Sequence, residues 1–480
     1  MIPNKLISSQ TGEASRLSLP RLFRRALLAA LFFFHPAAHS IVGKAYFALT
    51  GLNSMFVPLG GNVFLQPAIL LSAALLIMTP VANRLLPRRW DGVSIGLGLL
   101  FVGAVTGLAW NFRADVVAMT FCSVFLSGLF VFVSLVRYPL EESDIHTIFV
   151  ALSLGLMFPL MAGLQVFYQN WGIPDLSTVI AAHSSANGIQ AYEEVTFGSR
   201  GNTASLLVLV GPPLLALLFD RRRVSWPKAI YALCLALIVV NLVILQQRAA
   251  IFICLVSIAF LWCFKAKTVS SHILYLATGA VVLFAVTTYS PAVANLIDER
   301  FVPALTWDVD SDHSVSGRTE AIQEGVGLAV ANLPFGLGPG SAVKVHSQGS
   351  AHQFNVQQGL ENGVIGFLGS VVLSISALLL LIRAISAGDR LPATRWRFIF
   401  AVGPASYLVH GVLANVAINF GWVNTWVVLF VGMLALALSA ERDIPAEVSE
   451  VRRSLVRTPP PFRRPPQVAV PLQVLLTRQS

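Results

Sequence analysis

The sequence has few charged side chains. Asp, Glu, Lys and Arg make up 12% of its 480 residues, while hydrophobic residues make up 55%. Soluble domains carry about 25% charged residues, so this chain has about half the usual supply of solubilising groups. This shortage excludes a soluble enzyme, a disordered chain and a secreted disulfide scaffold. Together with a mean hydropathy of +0.72, it indicates a polytopic membrane protein.

Cysteine is also scarce. The four cysteines all lie inside apolar runs: Cys122, Cys234, Cys254 and Cys263. None has a partner in a polar loop, so we expect free, buried thiols and neither a disulfide nor a zinc site. The sequence also lacks an internal repeat and a nucleotide-binding loop.

Long apolar runs predict the fold. A helix that crosses about 30 Å of hydrocarbon needs about 20 mostly apolar residues. The sequence therefore predicts an all-α protein with twelve transmembrane helices, at 26–50, 62–83, 92–110, 116–136, 146–168, 203–219, 229–246, 249–264, 272–289, 363–382, 398–415 and 421–440. The run ALLAALFFF after Arg25 also has the pattern of a cleavable signal peptide, which would leave the remaining topology unchanged.

The net charge of +10 would suit a polyanionic partner, but the positions of the cations indicate membrane orientation instead. Lys and Arg accumulate on the cytoplasmic side of membrane proteins. With the N-terminus inside, all but seven of the 33 lysines and arginines fall in predicted inner segments. The seven are Lys44, Arg113, Arg200, Arg248, Arg300, Arg318 and Lys344. We therefore expect both termini in the cytoplasm, the lipid bilayer as a partner and no nucleic-acid partner.

The predicted spans divide the chain into five regions. They are a cytoplasmic segment at 1–25, helices one to nine at 26–289 with an outer loop at 169–202, a large outer loop at 290–362, helices ten to twelve at 363–440, and a tail at 441–480. The tail is rich in Pro and Arg, so we expect it to be disordered in the cytoplasm or to lie along anionic headgroups.

Two of the outer arginines lie beside predicted spans. Arg248 interrupts the apolar stretch 229–264, which is too long for one crossing, so a helical hairpin is predicted with Arg248 at its outer tip. Such a residue is a functional candidate, although it could instead snorkel to headgroups or pair with a carboxylate. Arg200 precedes the sixth span, where Asn202 or Thr203 would cap the helix. A helix N-terminus with an arginine also forms an anion site.

Arg318 opens the segment GRTEAIQEGVGLAVANLP, which is predicted to be helical. The apolar stripe of this segment consists of Ile322, Val326, Ala329 and Leu333. Since Arg318 lies four residues before Ile322, it should point toward the protein body. It would then be a functional residue or would form a structural salt bridge to Glu194 or Asp298.

His352 is predicted to begin a second helix, HQFNVQQGLENG, with an inward face that includes Val356 and Leu360. A lone histidine on such a face is usually a satisfied core residue. Beside several arginines, however, a neutral histidine could take a proton from an attacking hydroxyl. His346 is its nearby competitor. The outer carboxylates that could orient His352 are Glu193, Glu194 and Glu361, although Glu361 lies half a turn round the helix from it.

The arginines predict the ligand of the site. Guanidinium groups bind phosphate oxygens in bidentate fashion and keep their charge at neutral pH. Several of them at the outer membrane boundary suit a diphosphate whose lipid tail lies in the bilayer, and they would offset charge on a departing diphosphate.

Two nearby motifs are interpreted as structural. DVDSDH, with Asp308, Asp310 and Asp312, lacks the glycine and the terminal glutamate of a calcium loop, so we interpret it as a solvated acidic loop. PFGLGPG has alternating glycines like a phosphate cradle, but no strand precedes it. A tight turn between the two loop helices is therefore expected, with a backbone approach to the diphosphate as the alternative.

The segments GRTEAIQEGVGLAVANLPFGLGPGSA and AHQFNVQQGLENGVIGFLG, near 316–370, resemble the O-antigen ligase and polymerase family of bacterial envelope membrane proteins. The resemblance implies a GT-C-like glycosyltransferase with a large periplasmic helical loop between the ninth and tenth helices. The donor would be a glycan on undecaprenyl diphosphate, used without metal or cofactor. His352 would be the base, and Arg200, Arg248 and Arg318 would contact the diphosphate. The family often has Asn after this His, where this chain has Gln353.

The acceptor is left open by the sequence. A ligase would use lipid A–core, a polymerase a growing O-antigen or exopolysaccharide chain, and a third branch protein hydroxyls. A single histidine base on the acceptor side favours the ligase. A polysaccharide transporter or flippase is the rival class, but such proteins usually show two related halves, which this chain lacks. The resemblance implies the bacterial inner membrane, with the active site in the periplasm.

Overall fold

The computed structural model describes residues 19–37, 57–60, 63–65, 67–79, 91–111, 116–136, 138, 141–184, 189–197, 200–220, 226–265, 313–389, 392–413 and 427–440. In these ranges the chain is helical apart from one antiparallel two-stranded hairpin, so the prediction of a helical membrane protein is confirmed in its main point. The predicted span 272–289, Asp298, the DVDSDH motif and the tail lie outside these ranges.

The elements follow one another in this order: α1 Leu19–Ala37, β1 Val57–Gly60, β2 Val63–Leu65, α2 Pro67–Met78, α3 Gly92–Trp110, α4 Val116–Leu135, α5 Glu142–Trp171, α6 Leu176–Ser184, α7 Gln190–Val195, α8 Arg200–Leu218, α9 Trp226–Leu245, α10 Arg248–Lys265, α11 His313–Ala331, α12 Ala342–Val345, α13 Phe354–Ala387, α14 Pro392–Leu413 and α15 Val427–Ala440.

The hairpin corrects the second predicted span. Residues 63–65 pair with β1, and the helix begins only at Pro67, not at 62. Apolar composition does not distinguish a short strand from a helix end, and the two residues between the strands, Gly61 and Asn62, are of types that favour chain reversal.

Five helices of the described part are long and apolar enough to cross a membrane: α3, α5, α8, α9 and α13. Shorter apolar helices are found at Leu126–Leu135, Ala249–Lys265 and Val427–Ala440. The chain is therefore a multi-pass membrane protein. The number twelve stays a prediction.

Helices α3 and α13 pack closely through small residues. A Cβ atom on Gly103 would meet the backbone of Gly366, and one on Gly369 would meet the backbone of Leu100. Close backbone approach through glycine is a common way for membrane helices to associate, because lipid gives no hydrophobic drive between them. This contact fixes α13, which follows the predicted active-site loop.

Charged residues connect the helix ends that the sequence places in the cytoplasm. Arg25 of α1 donates to Asp144 of α5 at 2.5 Å. On the same predicted side, Arg395 is buried and pairs with Asp220 at 3.0 Å and with Asp389 at 3.1 Å. A buried arginine needs such partners, because an unpaired charge away from water is costly.

The cysteine prediction holds only in part. Cys234 is buried, but Cys263 of α10 is exposed. All three described cysteines, which also include Cys254, are free thiols. In a membrane helix the lipid-facing side is as apolar as the core, so an apolar neighbourhood does not predict burial.

Candidate functional site

The glycine-rich segment after α11 is a tight turn, as predicted. Gly336, Gly338 and Gly340 all have positive φ, at 75°, 88° and 72°, which glycine adopts without a steric penalty. The turn approaches the backbone of α13. The N–H of Gly338 donates to the Glu361 carbonyl oxygen at 2.9 Å, and the N–H of Leu337 donates to that of Leu360 at 2.8 Å.

A kink in α13 receives this turn. Gly363 has φ 65° and ψ −160°, which separates Phe354–Asn362 from the rest of the helix. A Cβ atom on Gly363 would collide with the backbone of Pro334 and Phe335. The following N–H, of Val364, donates to the Pro334 carbonyl oxygen at 2.9 Å. The kink therefore directs the first part of α13 away from the line of the predicted span.

The C-terminal end of α3 anchors the same turn. The side-chain amide of Asn111 donates to the Gly336 carbonyl oxygen at 2.6 Å. The rings of Trp110 and Phe335 lie 4.5 Å apart between centroids. The turn is thus held by two transmembrane helices, which gives the neighbouring segments a rigid support.

His352 does not begin a helix, which corrects the prediction. Helix α13 starts at Phe354, and His352 precedes it with φ 50°. The Gln353 side chain caps the helix by accepting the Val356 N–H at 2.6 Å. This cap gives a role to the residue at which the chain departs from the family pattern. A positive φ at a residue other than glycine costs about 1–3 kcal/mol and persists where the surroundings impose it.

The electrostatic environment keeps His352 neutral. Burial lowers the pKa of its imidazole below the usual 6.5, and the charge of Arg318 lowers it further. No described residue forms a hydrogen bond with the ring. A neutral imidazole has one nitrogen with a lone pair, which can accept a proton.

Arg318 lies in the second turn of α11, which begins at His313 and not at residue 317. The buried face of this helix contains Ala321 and Gly325. Two residues of the predicted stripe are exposed instead, Val326 by 45% and Leu333 by 51%. Arg318 still shares the inward face, because it precedes Ala321 by three residues and Gly325 by seven. Its inward direction was therefore predicted from the wrong neighbours.

His346 is buried and fully hydrogen-bonded. Its Nε2 lies 2.8 Å from the Ala321 carbonyl oxygen, and its Nδ1 accepts the Gln348 N–H at 3.1 Å. The Glu324 carboxylate lies 3.6 Å from Nδ1 and accepts hydrogen bonds from Ser347, which lower the pKa of its carboxyl. These contacts connect α11 to the loop before His352.

Arg200 is held by two side chains. It donates from Nε to Glu193 at 2.5 Å and from Nη1 to His183 at 3.2 Å. His183 in turn bonds from Nε2 to the Ile244 carbonyl oxygen at 2.8 Å, in the last turn of α9. The helix begins at Arg200 itself, so the prediction that Asn202 or Thr203 caps it is wrong. The side-chain amide of Asn202 instead donates to the Phe197 carbonyl oxygen.

The break before Arg248 is confirmed. Helix α9 ends at Leu245, Gln246 has φ 48°, and α10 begins at Arg248. Because His183 contacts Ile244, the backbone around Arg248 lies close to the Arg200 cluster. The structure thus brings these two predicted arginine positions to one place.

The sequence reasoning missed a buried histidine near these residues. His410 of α14 lies 3.2 Å from Ser205 of α8, and it also interacts electrostatically with Arg318. Ser205 follows Arg200 by five residues, about 8 Å along the helix. The sequence held a usable signal, because an ionisable residue inside an apolar run is a functional candidate. His183 carried no comparable signal.

None of the candidate carboxylates whose side chains the structure describes contacts the His352 ring. Glu361 accepts from Gln357, and Glu193 pairs with Arg200. Glu194 lies in α7 beside Glu193. Among the described residues, no group of three His, Cys, Asp or Glu is placed to share a metal ion.

Residues 233–371 match the protein-family model described as O-Antigen ligase. The match confirms the family resemblance and identifies an O-antigen ligase domain in this chain. It includes Arg248, Arg318 and His352, while Arg200 precedes it. No curated protein matches the chain. The O-antigen ligase family implies a glycosyltransferase-type enzyme that acts on lipid-linked glycans in a membrane.

Proposed function

We propose that this protein is an O-antigen ligase. It transfers an oligosaccharide or polysaccharide en bloc from undecaprenyl diphosphate to lipid A–core at the periplasmic face of the inner membrane, with both termini in the cytoplasm. One observation carries this proposal: burial and the charge of Arg318 both lower the pKa of the His352 imidazole, in the part of the chain that matches the family.

The proposed reaction uses one base and several cations. The His352 ring takes the proton of an acceptor hydroxyl, and that oxygen forms a bond to the anomeric carbon of the glycan. The bond from this carbon to the diphosphate oxygen breaks, and the electron pair stays on the diphosphate. Arg318, Arg200 and Arg248 offset the resulting negative charge. The proton leaves His352 to solvent or to the released diphosphate.

The connected positions of the arginines support this assignment of roles. Arg200 is joined through His183 to the α9 end that precedes Arg248. Five residues after Arg200, Ser205 of α8 lies 3.2 Å from His410, and the charge of Arg318 acts on that histidine. A donor diphosphate bound among these groups would have its glycan carbon near His352. The ion pair between Arg200 and Glu193 would be partly replaced by contacts of Arg200 with the diphosphate when the donor binds.

Glycan profiles of a deletion strain test the proposal. We expect long glycan chains to remain on the undecaprenyl carrier and lipid A–core to stay unmodified. Single repeat units on lipid A–core would instead identify a polymerase, and unmodified glycoproteins with normal lipopolysaccharide the protein-directed branch. The purified protein should release undecaprenyl diphosphate from its glycan-linked form when lipid A–core is added, with EDTA present or absent. A transporter would release none.

A further inference from the structure

The backbone beside His352 is held by one buried side chain. Oε1 of Gln357 accepts the N–H of Ala351 at 2.9 Å, which reaches back six residues along the chain. Nε2 of the same amide donates to Oε1 of Glu361 at 2.7 Å, one helical turn further on. All three residues are fully buried. The carboxylate of Glu361 is therefore connected through Gln357 to the residue before His352.

The order of donors and acceptors fixes how the amide lies. Nε2 can only donate and Oε1 can only accept. A carboxylate on one side and a backbone N–H on the other thus allow one orientation of the amide. The backbone amides of Gly340 and Ala342 also approach Glu361, so the carboxylate is itself held by the glycine-rich turn.

The second restraint on this backbone is packing. Ala351 lies against Gly325 of α11, where a Cβ atom would collide with the Ala351 methyl group. Helix α11 carries Arg318, seven residues before Gly325. The Ala351–His352 backbone is thus clamped between α11 and α13, and the positive φ of His352 occurs at this point. This clamp is important for the ring, because no described residue forms a hydrogen bond with it.

We propose that Gln357 is a positioning residue for the transfer reaction. It transmits the fixed position of Glu361 to the backbone of Ala351 and thereby holds His352 in the left-handed conformation that directs its ring at the acceptor. This role rests on the proposed function of His352. Without the clamp, His352 relaxes toward an ordinary negative φ and its ring moves away from the acceptor, while the arginines that bind the donor stay in place.

The first test uses the full-length protein in detergent, with glycan-linked undecaprenyl diphosphate and lipid A–core as substrates. Gln357→Leu keeps the volume but removes both hydrogen bonds. We expect kcat to fall about 100-fold, as for other small displacements of reacting groups, with little change in the KM for the donor. Gln358→Leu is the matched control, because it removes the neighbouring buried amide, which bonds to Asn362 and not to Ala351. It should lower thermal stability but retain kcat.

The second test exchanges the two partners. Gln357→Glu places two carboxylates against each other and removes the donor, so kcat should fall. The double variant Gln357→Glu/Glu361→Gln restores one donor, one acceptor and one charge in the reverse order. We expect it to recover kcat by about tenfold over Gln357→Glu, since a buried hydrogen bond to a charged group is regained. Glu361→Gln alone completes the cycle and gives the coupling between the two positions.

The outcomes separate the two proposals. If the wild-type protein releases no undecaprenyl diphosphate, the proposed function fails and the positioning role fails with it. If the wild type is active and His352→Ala is not, while folded Gln357→Leu keeps full kcat, the positioning role alone is overturned. It is also overturned if the double variant gains nothing over Gln357→Glu, or if Gln358→Leu loses as much kcat as Gln357→Leu.

Discussion

His346 bonds to the Ala321 carbonyl oxygen through Nε2 at 2.8 Å, and this contact decides which histidine is free for catalysis. Since the Gln348 N–H occupies Nδ1, that nitrogen is the acceptor and Nε2 carries the proton. Both ring nitrogens are therefore used within the fold. His352, which follows His346 by six residues, has no such bonds among the described residues.

The two histidines should respond differently to substitution. His352→Ala should abolish glycan transfer and leave membrane insertion intact, because it removes the proposed base. His346→Asn should keep measurable transfer but lose about 1–3 kcal/mol of stability, since a buried hydrogen bond is broken. Both are checked by transfer assays and thermal unfolding of the purified variants. Normal activity in His352→Ala would remove its assignment as the base.

The pH dependence of transfer should follow the neutral form of His352. Burial and Arg318 lower its pKa below the usual 6.5, so the ring stays unprotonated at neutral pH and activity is lost only as the pH falls below that value. Arg318→Gln removes the nearby positive charge and should move the acid limb of the kcat profile to higher pH. An acid limb that does not move would contradict the proximity of these two groups in the working enzyme.

Lysine should not replace the outer arginines. Arg318→Lys and Arg248→Lys keep one positive charge but lose the planar fork that binds two phosphate oxygens, so transfer should fall at least about tenfold. Arg383→Lys is the control, because this exposed residue lies in α13 close to the end that the sequence places in the cytoplasm. Donor-dependent rates measure the effect, and full activity of Arg318→Lys would oppose its role at the diphosphate.

Gly363→Ala should destabilise the protein. The substitution forces φ 65° on alanine and drives its Cβ into the Pro334–Phe335 backbone, which costs about 1–3 kcal/mol for the conformation alone. Gly327→Ala is matched to it, because this glycine of α11 has open space around it and alanine favours a helix. Thermal unfolding should show a lower Tm only for Gly363→Ala. Equal Tm values would mean that the kink is not required.

Local patterns of the sequence predicted much of the site. The break before Arg248 followed from an apolar stretch too long for one crossing, and the tight turn after α11 followed from its glycines. Both depend on neighbours in sequence. The stripe of α11 was predicted wrongly because Val326 and Leu333 are apolar yet exposed, which a membrane protein tolerates on its outer surface. The cap of α8 was predicted at the wrong residues, because a helix end can shift by several residues without changing the apolar pattern of the helix.

Composition and hydropathy alone determined that this is a multi-pass helical membrane protein, because the cost of placing polar groups in lipid acts on every residue separately. Only the tertiary structure decided that His410 contacts Ser205, that both ring nitrogens of His346 form hydrogen bonds, and that Gln357 holds the backbone before His352. Such contacts join distant segments through single atoms, and no local pattern in the chain encodes which atoms will meet.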